Sequence, residues 1–197
     1  MRSLAAARTP RIFALLALAE LVGCGDPGTR TSLPQASHTP SVGSTPAPAS
    51  AGCLGPAPAA VDAQAEQEVL ELVNAQRREH GLVELRPSAT LADAARLHAR
   101  DMAQDDYVEH DSFDRSQGRL AKTCEWSKRV LWFVPDEHQL AENIAAGAST
   151  PQEVVDGWMR SPVHRRNVLG AAYTELGVGY WPGESAGFYW VADFGGR

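Results

Sequence analysis

The chain has 197 residues, a length that fits one domain or one domain with tails, and its 44% of hydrophobic residues is enough for a globular core. Without Arg2, Arg8, Arg11 and Glu20 of the N-terminal segment, the remainder has 15 basic and 23 acidic residues and a formal charge of −8. Because a nucleic-acid-binding protein presents a basic face, this balance excludes that class.

The N-terminus has the pattern of an export signal. A basic start is followed by an apolar run from Ile12 to Gly23, which is short for a membrane span and contains Glu20, so a signal peptide is favoured over a transmembrane helix. Leu21-Val22-Gly23-Cys24 resembles the lipobox of bacterial lipoproteins, in which the signal is cut before a cysteine that is then acylated. We therefore predict a lipoprotein signal peptide over residues 1–23; ordinary secretion and a retained anchor are the alternatives.

Residues 24–60 are predicted to be the acylated Cys24 followed by a disordered linker. Pro, Ser, Thr, Ala and Gly dominate this segment, which cannot bury enough apolar surface to offset its ordering entropy. Such a linker tethers the folded domain, residues 61–197, to a membrane through the acyl chains. We expect a lipoprotein of the bacterial cell envelope that faces the periplasm or the exterior.

Two cysteines, Cys53 and Cys124, remain once Cys24 is assigned to the lipid anchor. Export places them in an oxidising compartment, where a disulfide persists. A Cys53–Cys124 bridge would fasten the end of the linker to the domain, and two free thiols are the alternative, because spacing in sequence says nothing about geometry.

The folded region opens with two predicted helices. Over residues 61–81, Leu70, Val73 and Arg77 lie on one helical face, and Gly81 is placed to end the helix.

The second helix can be capped by Ser88. Four residues then recur at helical spacing: Leu91, Ala95, His98 and Met102. A histidine on an apolar face is most often a hydrogen-bonded core residue, and we interpret His98 in this way.

His110 follows in a polar loop, after the second helix has ended at Asp105-Asp106. It has no packing reason to be there, so it is a candidate functional residue. The stretch 113–139 has no clear periodicity. Its apolar burst at Val130–Val134 is consistent with a short strand or a packed loop.

The next helix has the clearest start in the chain. Thr150 at the N-cap, Pro151 at the first helical position and Glu153 two residues later form a capping box. Ser161-Pro162 ends this helix and opens another, which places His164 in a first turn. The positive end of the helix dipole disfavours a charged ring there, and the neutral imidazole is the form that binds a metal.

Two strands are predicted at the C-terminus, over 174–181 and 188–194, and turn residues between them indicate a hairpin. Residues 183–187 match the G-x-S-x-G nucleophile motif, but that motif needs a strand-to-helix turn and a later histidine. No histidine follows Ser185, so we interpret the match as a hairpin turn. The predicted fold class is α+β, with helices packed on a small antiparallel sheet.

Seven motifs occur in an order that resembles the CAP superfamily of cysteine-rich secretory, antigen 5 and pathogenesis-related proteins, in particular its bacterial exported branch. They are NAQRREHGL, LADAARLHARDMA, EHDS, AENIAAG, TPQEVVDGWMRSPVHRRNVL, YTELGVGY and FYWVADFG. The resemblance covers about residues 63–196. It implies an α-β-α sandwich, the SCP domain, with a cleft lined by two histidines and acidic residues.

The resemblance assigns three cleft residues by position. His110 corresponds to the histidine of the family's His-Ser motif, Glu142 to the glutamate of its Gly-Glu-Asn motif, and His164 to the histidine of its Gly-His motif. Ser161 stands where many animal members have a second glutamate. The family's disulfide pattern is absent, and an insert from Arg119 to Gln139 departs from the usual link.

Two imidazoles can hold zinc or another divalent metal, with Glu142 as a third ligand or as a residue that orients one histidine. We expect a module that binds a lipid, a cell-wall fragment or a protein, because no nucleophile with its base and orienting group is apparent. One alternative is a metal-dependent peptidase or esterase in which His110 and His164 bind the metal and Glu142, the only candidate for a catalytic residue, is the base. The other is a structural envelope protein with a vestigial cleft.

Overall fold

The computed structural model describes residues 54–197. The predicted signal peptide, most of the linker, Cys24 and Cys53 lie outside this range and stay predictions. No helix within 54–197 is both long enough and apolar enough to cross a bilayer. The elements in chain order are α1 Ala63–Glu79, β1 Arg86–Pro87, α2 Ala89–Asp105, β2 Ser112–Ser116, β3 Arg119–Cys124, α3 Trp126–Phe133, β4 Gln139–Ala146, α4 Pro151–Arg160, α5 Pro162–Val168, β5 Glu175–Gly183 and β6 Gly187–Gly196.

A four-stranded sheet in the order β1-β5-β6-β4 forms the middle layer. β5 and β6 form the predicted hairpin, and β4 pairs antiparallel with β6 along its whole length. The two-residue β1 runs parallel to β5, so the sheet is antiparallel except at that edge. β2 and β3 form a separate antiparallel pair. The predicted α+β class is confirmed.

The helices cover both faces of the sheet, because successive residues of a strand point to opposite faces. One core lies between the sheet and α2, with α3 packed beside it; the other lies between the sheet and the pair α1 and α4. The α2 core contains Ala95, Ala99, Met102, Tyr107, Ile144, Tyr189 and Val191. The opposite core includes Val69, Val73, Val154, Trp158, Leu176, Trp190 and Phe194.

Helix ends follow the predicted signals in most details. Gly81 ends α1 with a positive φ of 70°. At the start of α4 the Thr150 hydroxyl accepts a hydrogen bond from the Glu153 backbone N–H (3.2 Å). The Glu153 carboxylate, however, accepts from Ser149 N (2.8 Å) rather than from Thr150. Ser88 occupies the N-cap position of α2, but its side chain makes no capping hydrogen bond.

The interpretation of residues 130–134 as a strand or loop was wrong: most of this burst is the second half of helix α3. The helix buries Arg129 and Val130 while it leaves Leu131 and Trp132 exposed. Because a run of consecutive apolar residues spreads over two faces of a short helix, the run by itself does not reveal the period.

Two glycines of β5 bring α2 close to the sheet. A Cβ atom added at Gly177 would lie 2.1 Å from Ala92 N, and one at Gly179 would lie 2.3 Å from the carbonyl carbon of Ala95. Both contacts are with helix backbone, which cannot move aside as a flexible side chain can. The glycines therefore set the spacing of the layer that carries His98 and the loop to His110.

We expect Gly179→Ala to lower the free energy of unfolding by about 2–3 kcal/mol or more, because the added methyl forces α2 off the sheet. The matched control is Gly157→Ala in α4, where the nearest atom to the added Cβ is 4.0 Å away. Alanine there should add about 0.5–1 kcal/mol, since glycine is the poorer helix former. Denaturant unfolding followed by tryptophan fluorescence measures both, and equal effects would contradict the close-packing account.

Candidate functional site

Glu142 lies on β4, the edge strand of the sheet, and its side chain is 1% exposed. Alternation along the strand points Glu142 toward the α2 and α3 side and the next residue, Asn143, toward α5. One strand therefore supplies anchoring groups to both helical layers. In the sequence, Glu142 was located only through the family motif and no strand was predicted around it, so β4 was missed.

Arg129 of α3 is the partner of the Glu142 carboxylate. Its side chain is 0% exposed, and its Nη2 donates to Glu142 Oε2 at 2.5 Å. The same guanidinium donates to Ser112 Oγ at 2.8 Å and to the His110 carbonyl at 3.1 Å. Burial alone would raise the pKa of Glu142, but the Arg129 charge, with contributions from His98 and His110, lowers that pKa to about 2.

His110 donates from Nδ1 to the other carboxylate oxygen, Glu142 Oε1, at 2.9 Å. This hydrogen bond raises the pKa of the His110 imidazole above its ordinary value of 6.5, and burial opposes it. In the neutral ring the proton is on Nδ1, because an anionic carboxylate can only accept. The lone pair of Nε2 is then free, and 46% of the His110 side chain is exposed.

His164 lies in the first turn of α5, as predicted. Asn143 Nδ2 donates to the His164 carbonyl at 3.0 Å, and Asn167 donates to Asn143 Oδ1 at 2.8 Å, so β4 holds this helix through its backbone. At the helix end, Arg77 of α1 donates to the Val168 carbonyl at 2.8 Å.

Burial lowers the pKa of His164, and the charge of His110 lowers it further. This direction agrees with the predicted neutral imidazole, and burial is its largest cause.

The contacts of Glu142 favour an orienting role over that of a third metal ligand. Both of its oxygens already accept hydrogen bonds, one from His110 and one from Arg129. Within residues 54–197, one group of three His, Cys, Asp or Glu side chains has its possible ligand atoms all within 4.8 Å of one another. It consists of Asp101, Asp105 and Asp114. The predicted metal ligands, His110 and His164, are not part of that group, and a metal at these two residues stays a prediction.

Two charged residues of the site escaped the sequence analysis. Arg129 lies in the stretch without readable periodicity. Asp193 of β6 pairs in register with Glu142 across the sheet and is 0% exposed. Burial and the neighbouring Glu142 charge raise the pKa of Asp193 well above its ordinary value, so it is the neutral member of the pair. In the sequence, the only sign of this role was that Asp193 is a single acidic residue inside an otherwise apolar strand.

His98 is the core residue that its position on α2 predicts. It is fully buried, its Nε2 lies 2.9 Å from the Glu109 carbonyl, and burial lowers its pKa to about 3. The neutral ring therefore fixes the backbone next to His110. Cys124 is also buried, but Cys53 lies outside the described residues, so the predicted disulfide stays a prediction.

A profile of the cysteine-rich secretory protein family, CAP, matches residues 70–194. The uncharacterized protein YkwD of Bacillus subtilis (strain 168) is 37% identical over 149 residues, which cover 72% of this chain and 50% of YkwD. The uncharacterized membrane protein YlbC of the same organism is 33% identical over 119 residues, covering 60% of this chain and 32% of YlbC. The chain thus spans half or less of these relatives.

Solved structures show the same fold. An extracellular protein of Bacillus anthracis str. Ames that contains an SCP domain matches with a TM-score of 0.57 and 28% identity, over 67% of this chain and 40% of that one. An outer surface protein of Borrelia burgdorferi matches with a TM-score of 0.58 and 18% identity, over 70% of this chain and 96% of that one. The expected α-β-α sandwich is confirmed.

We expect Arg129→Met to lower the free energy of unfolding by about 3–5 kcal/mol, because it leaves the buried Glu142 charge without a partner. Arg119→Met is the control, since Arg119 is exposed, and should stay within about 0.5 kcal/mol of the parent. Denaturant titration near pH 7 compares the two. Equal stabilities of the two variants would show that the buried pair does not hold the site together.

The ionisation of His110 gives a second prediction. Its pKa should lie above 6.5 and fall in Glu142→Gln, whereas that of His164 should lie below 6.5. Because the folded pKa of His110 exceeds the unfolded one, its stabilising contribution is complete below about pH 6.5 and is lost as pH rises through the folded value. NMR titration of the imidazole signals measures both rings. A His110 pKa that Glu142→Gln leaves unchanged would refute the assignment.

Proposed function

The chain belongs to the cysteine-rich secretory protein (CAP) family, and from this we propose that it is an exported, lipid-anchored domain that binds a ligand at His110, Glu142 and His164. Export and anchoring are supported by the N-terminal signal pattern with its lipobox at Cys24. The extracellular character of the Bacillus anthracis relative points the same way.

The observation that carries a binding function, rather than hydrolysis, is the state of Glu142. A general base must take a proton near neutral pH, and a carboxylate with a pKa of about 2 is a weak base there. Both of its oxygens are also committed to His110 and Arg129. Glu142 therefore fits the role of holding one imidazole in a fixed orientation.

The two imidazoles fit a divalent transition metal such as zinc. A carboxylate that accepts from one ring nitrogen of a histidine and leaves the other free is the usual support of a metal-binding histidine. Zinc with two protein ligands keeps further positions open for water or for an incoming ligand. Bound there, the metal would supply a Lewis acid for a carboxylate, phosphate or carbonyl oxygen.

The proposed ligand is an extracytoplasmic molecule with such an oxygen, and a lipid headgroup, a cell-wall fragment and an exposed protein carboxylate all qualify. His110 offers its ring from a partly exposed position, so that a ligand can reach Nε2 without opening the core. The buried groups behind it, Arg129 and Asp193, lie out of reach of a ligand and serve as support.

We expect calorimetric titration with zinc to show binding to the chain that is lost in His110→Ala and in His164→Ala. Glu142→Gln should weaken binding by about 10–100-fold, the usual effect of removing the residue that orients a ligating histidine. Affinity should rise with pH through the pKa of His110, because the proton must leave the ring before the metal binds.

His138→Ala is the matched control, since His138 is an exposed histidine of the same domain, and it should bind zinc as the parent does. Equal loss in His138→Ala would reveal nonspecific histidine binding. Zinc binding that survives in the double variant His110→Ala with His164→Ala would remove the metal from this site, while peptidase activity abolished by Glu142→Gln would favour the hydrolase instead.

A further inference from the structure

The outward side of α3 and β3 carries a cluster of exposed apolar side chains. Trp132 is 61% exposed, Leu120 40% and Leu131 38%. Beside them is Leu54, the first described residue, at 46%. They lie in or beside a groove of about 720 Å³. The groove is lined by Leu54, Lys122, Thr123, Cys124, Glu125, Lys128, Leu131 and Trp132.

The geometry of both elements makes this one continuous face, here called the α3–β3 face. Lys128, Leu131 and Trp132 follow one another at i, i+3 and i+4, so they share a side of α3. Lys122 and Cys124 line the groove from β3, and Leu120, two residues earlier, points the same way.

The charge of the α3–β3 face differs from that of the rest of the domain. Residues 54–197 contain 14 basic and 22 acidic residues, a formal net charge of −8. Lys122 and Lys128 are nevertheless the only two lysines of the whole chain. Lys122 pairs with Asp111 at 2.6 Å and Lys128 with Glu125 at 3.5 Å, so these four groups are neutral in sum while the domain as a whole is acidic.

The chain enters the domain at the same place. Leu54 lies in the groove, and the segment that precedes it leads back to Cys24, the proposed acylation site. A domain tethered through Leu54 presents the surface around Leu54 to the membrane more readily than the acidic surface elsewhere.

We propose that the α3–β3 face docks on an anionic membrane surface, an inference that rests on the proposed lipid anchor. Trp132 and the leucines enter the interface between headgroups and acyl chains, and the lysines extend their charged ends to the phosphates. Anchor and face then act as two weak membrane contacts, which together give stable attachment.

Docking of this kind brings the candidate site to the bilayer. α3 carries both the exposed Trp132 and the buried Arg129, whose guanidinium holds Glu142 and the His110 carbonyl. Asp111, the residue after His110, is the partner of Lys122. α3 and Lys122 thus connect the α3–β3 face to the His110 loop and to Glu142.

The test uses the chain without its signal peptide, with Cys24→Ser to remove the acyl chains, and vesicles of phosphatidylglycerol and phosphatidylcholine in equal amounts. We expect it to cosediment with these vesicles and to bind pure phosphatidylcholine vesicles more weakly. Leu131→Ser with Trp132→Ser should lower the partition coefficient at least about tenfold, and Lys128→Gln, which removes one charge, about fivefold.

Val83→Ser with Val163→Ser is the control, since these residues are 84% and 56% exposed elsewhere, and it should bind like the parent. Quenching of tryptophan fluorescence by brominated lipids, which needs no variant, should accompany binding of the parent. No sedimentation and no quenching, or equal losses in the control, would overturn the proposal. A dimer detected by light scattering would also overturn it, if the dimer is lost in the Leu131→Ser, Trp132→Ser variant and the parent does not bind vesicles.

Membrane fractionation of the acylated parent against Cys24→Ser in cells separates the two ideas. If the acylated parent fractionates with membranes but the unacylated chain does not bind vesicles, the lipid anchor is supported and docking of the α3–β3 face is refuted. If the unacylated chain binds vesicles through Trp132 but the chain is not acylated in cells, docking of the α3–β3 face is supported and the lipid anchor is refuted.

Discussion

The site depends on one buried ion pair, between Arg129 and Glu142, whose side chains are 0% and 1% exposed. Burying two charges is costly, and hydrogen bonds from the remaining donors offset part of this cost, although Arg129 Nε itself is buried without a partner. Here the guanidinium also donates to Ser112 and to the His110 carbonyl, and the second carboxylate oxygen accepts from the His110 ring. One arginine thus fixes the acid, the backbone of the histidine and, through the acid, the histidine's ring.

Strand β4 anchors both histidines, through Glu142 for His110 and through Asn143 for His164. β4 lies at the edge of the sheet. Because successive side chains of a strand point to opposite faces, Glu142 points to one helical layer and Asn143 to the other. Asn143 holds the backbone of His164, and the neutral Asp193 lies beside Glu142 on the adjacent strand. The pKa values consequently diverge: raised for His110 by its carboxylate, lowered for His164 by burial.

The fold class and the candidate residues His110 and His164 could be predicted from the sequence, because caps, helical spacing and ordered motifs are local signals. It did not reach Arg129, whose role arises only when the α3 helix packs against the loop at His110. Leu131 and Trp132 obscured that helix by placing apolar residues on its exposed side. Asp193 was visible as an acid in an apolar strand, but its protonation depends on the strand register that sets it opposite Glu142. Long-range pairing of charges is what the sequence could not supply.

The central claim is that the Arg129–Glu142 pair holds the His110 ring with its proton on Nδ1 and its Nε2 lone pair free. The nitrogen-15 chemical shifts of the imidazole, measured at a pH above the His110 pKa, report this tautomer directly. We expect the Nδ1–H form for His110, with a shift toward the Nε2–H form in Glu142→Gln. A His110 ring that carries its proton on Nε2 in the parent chain would contradict it.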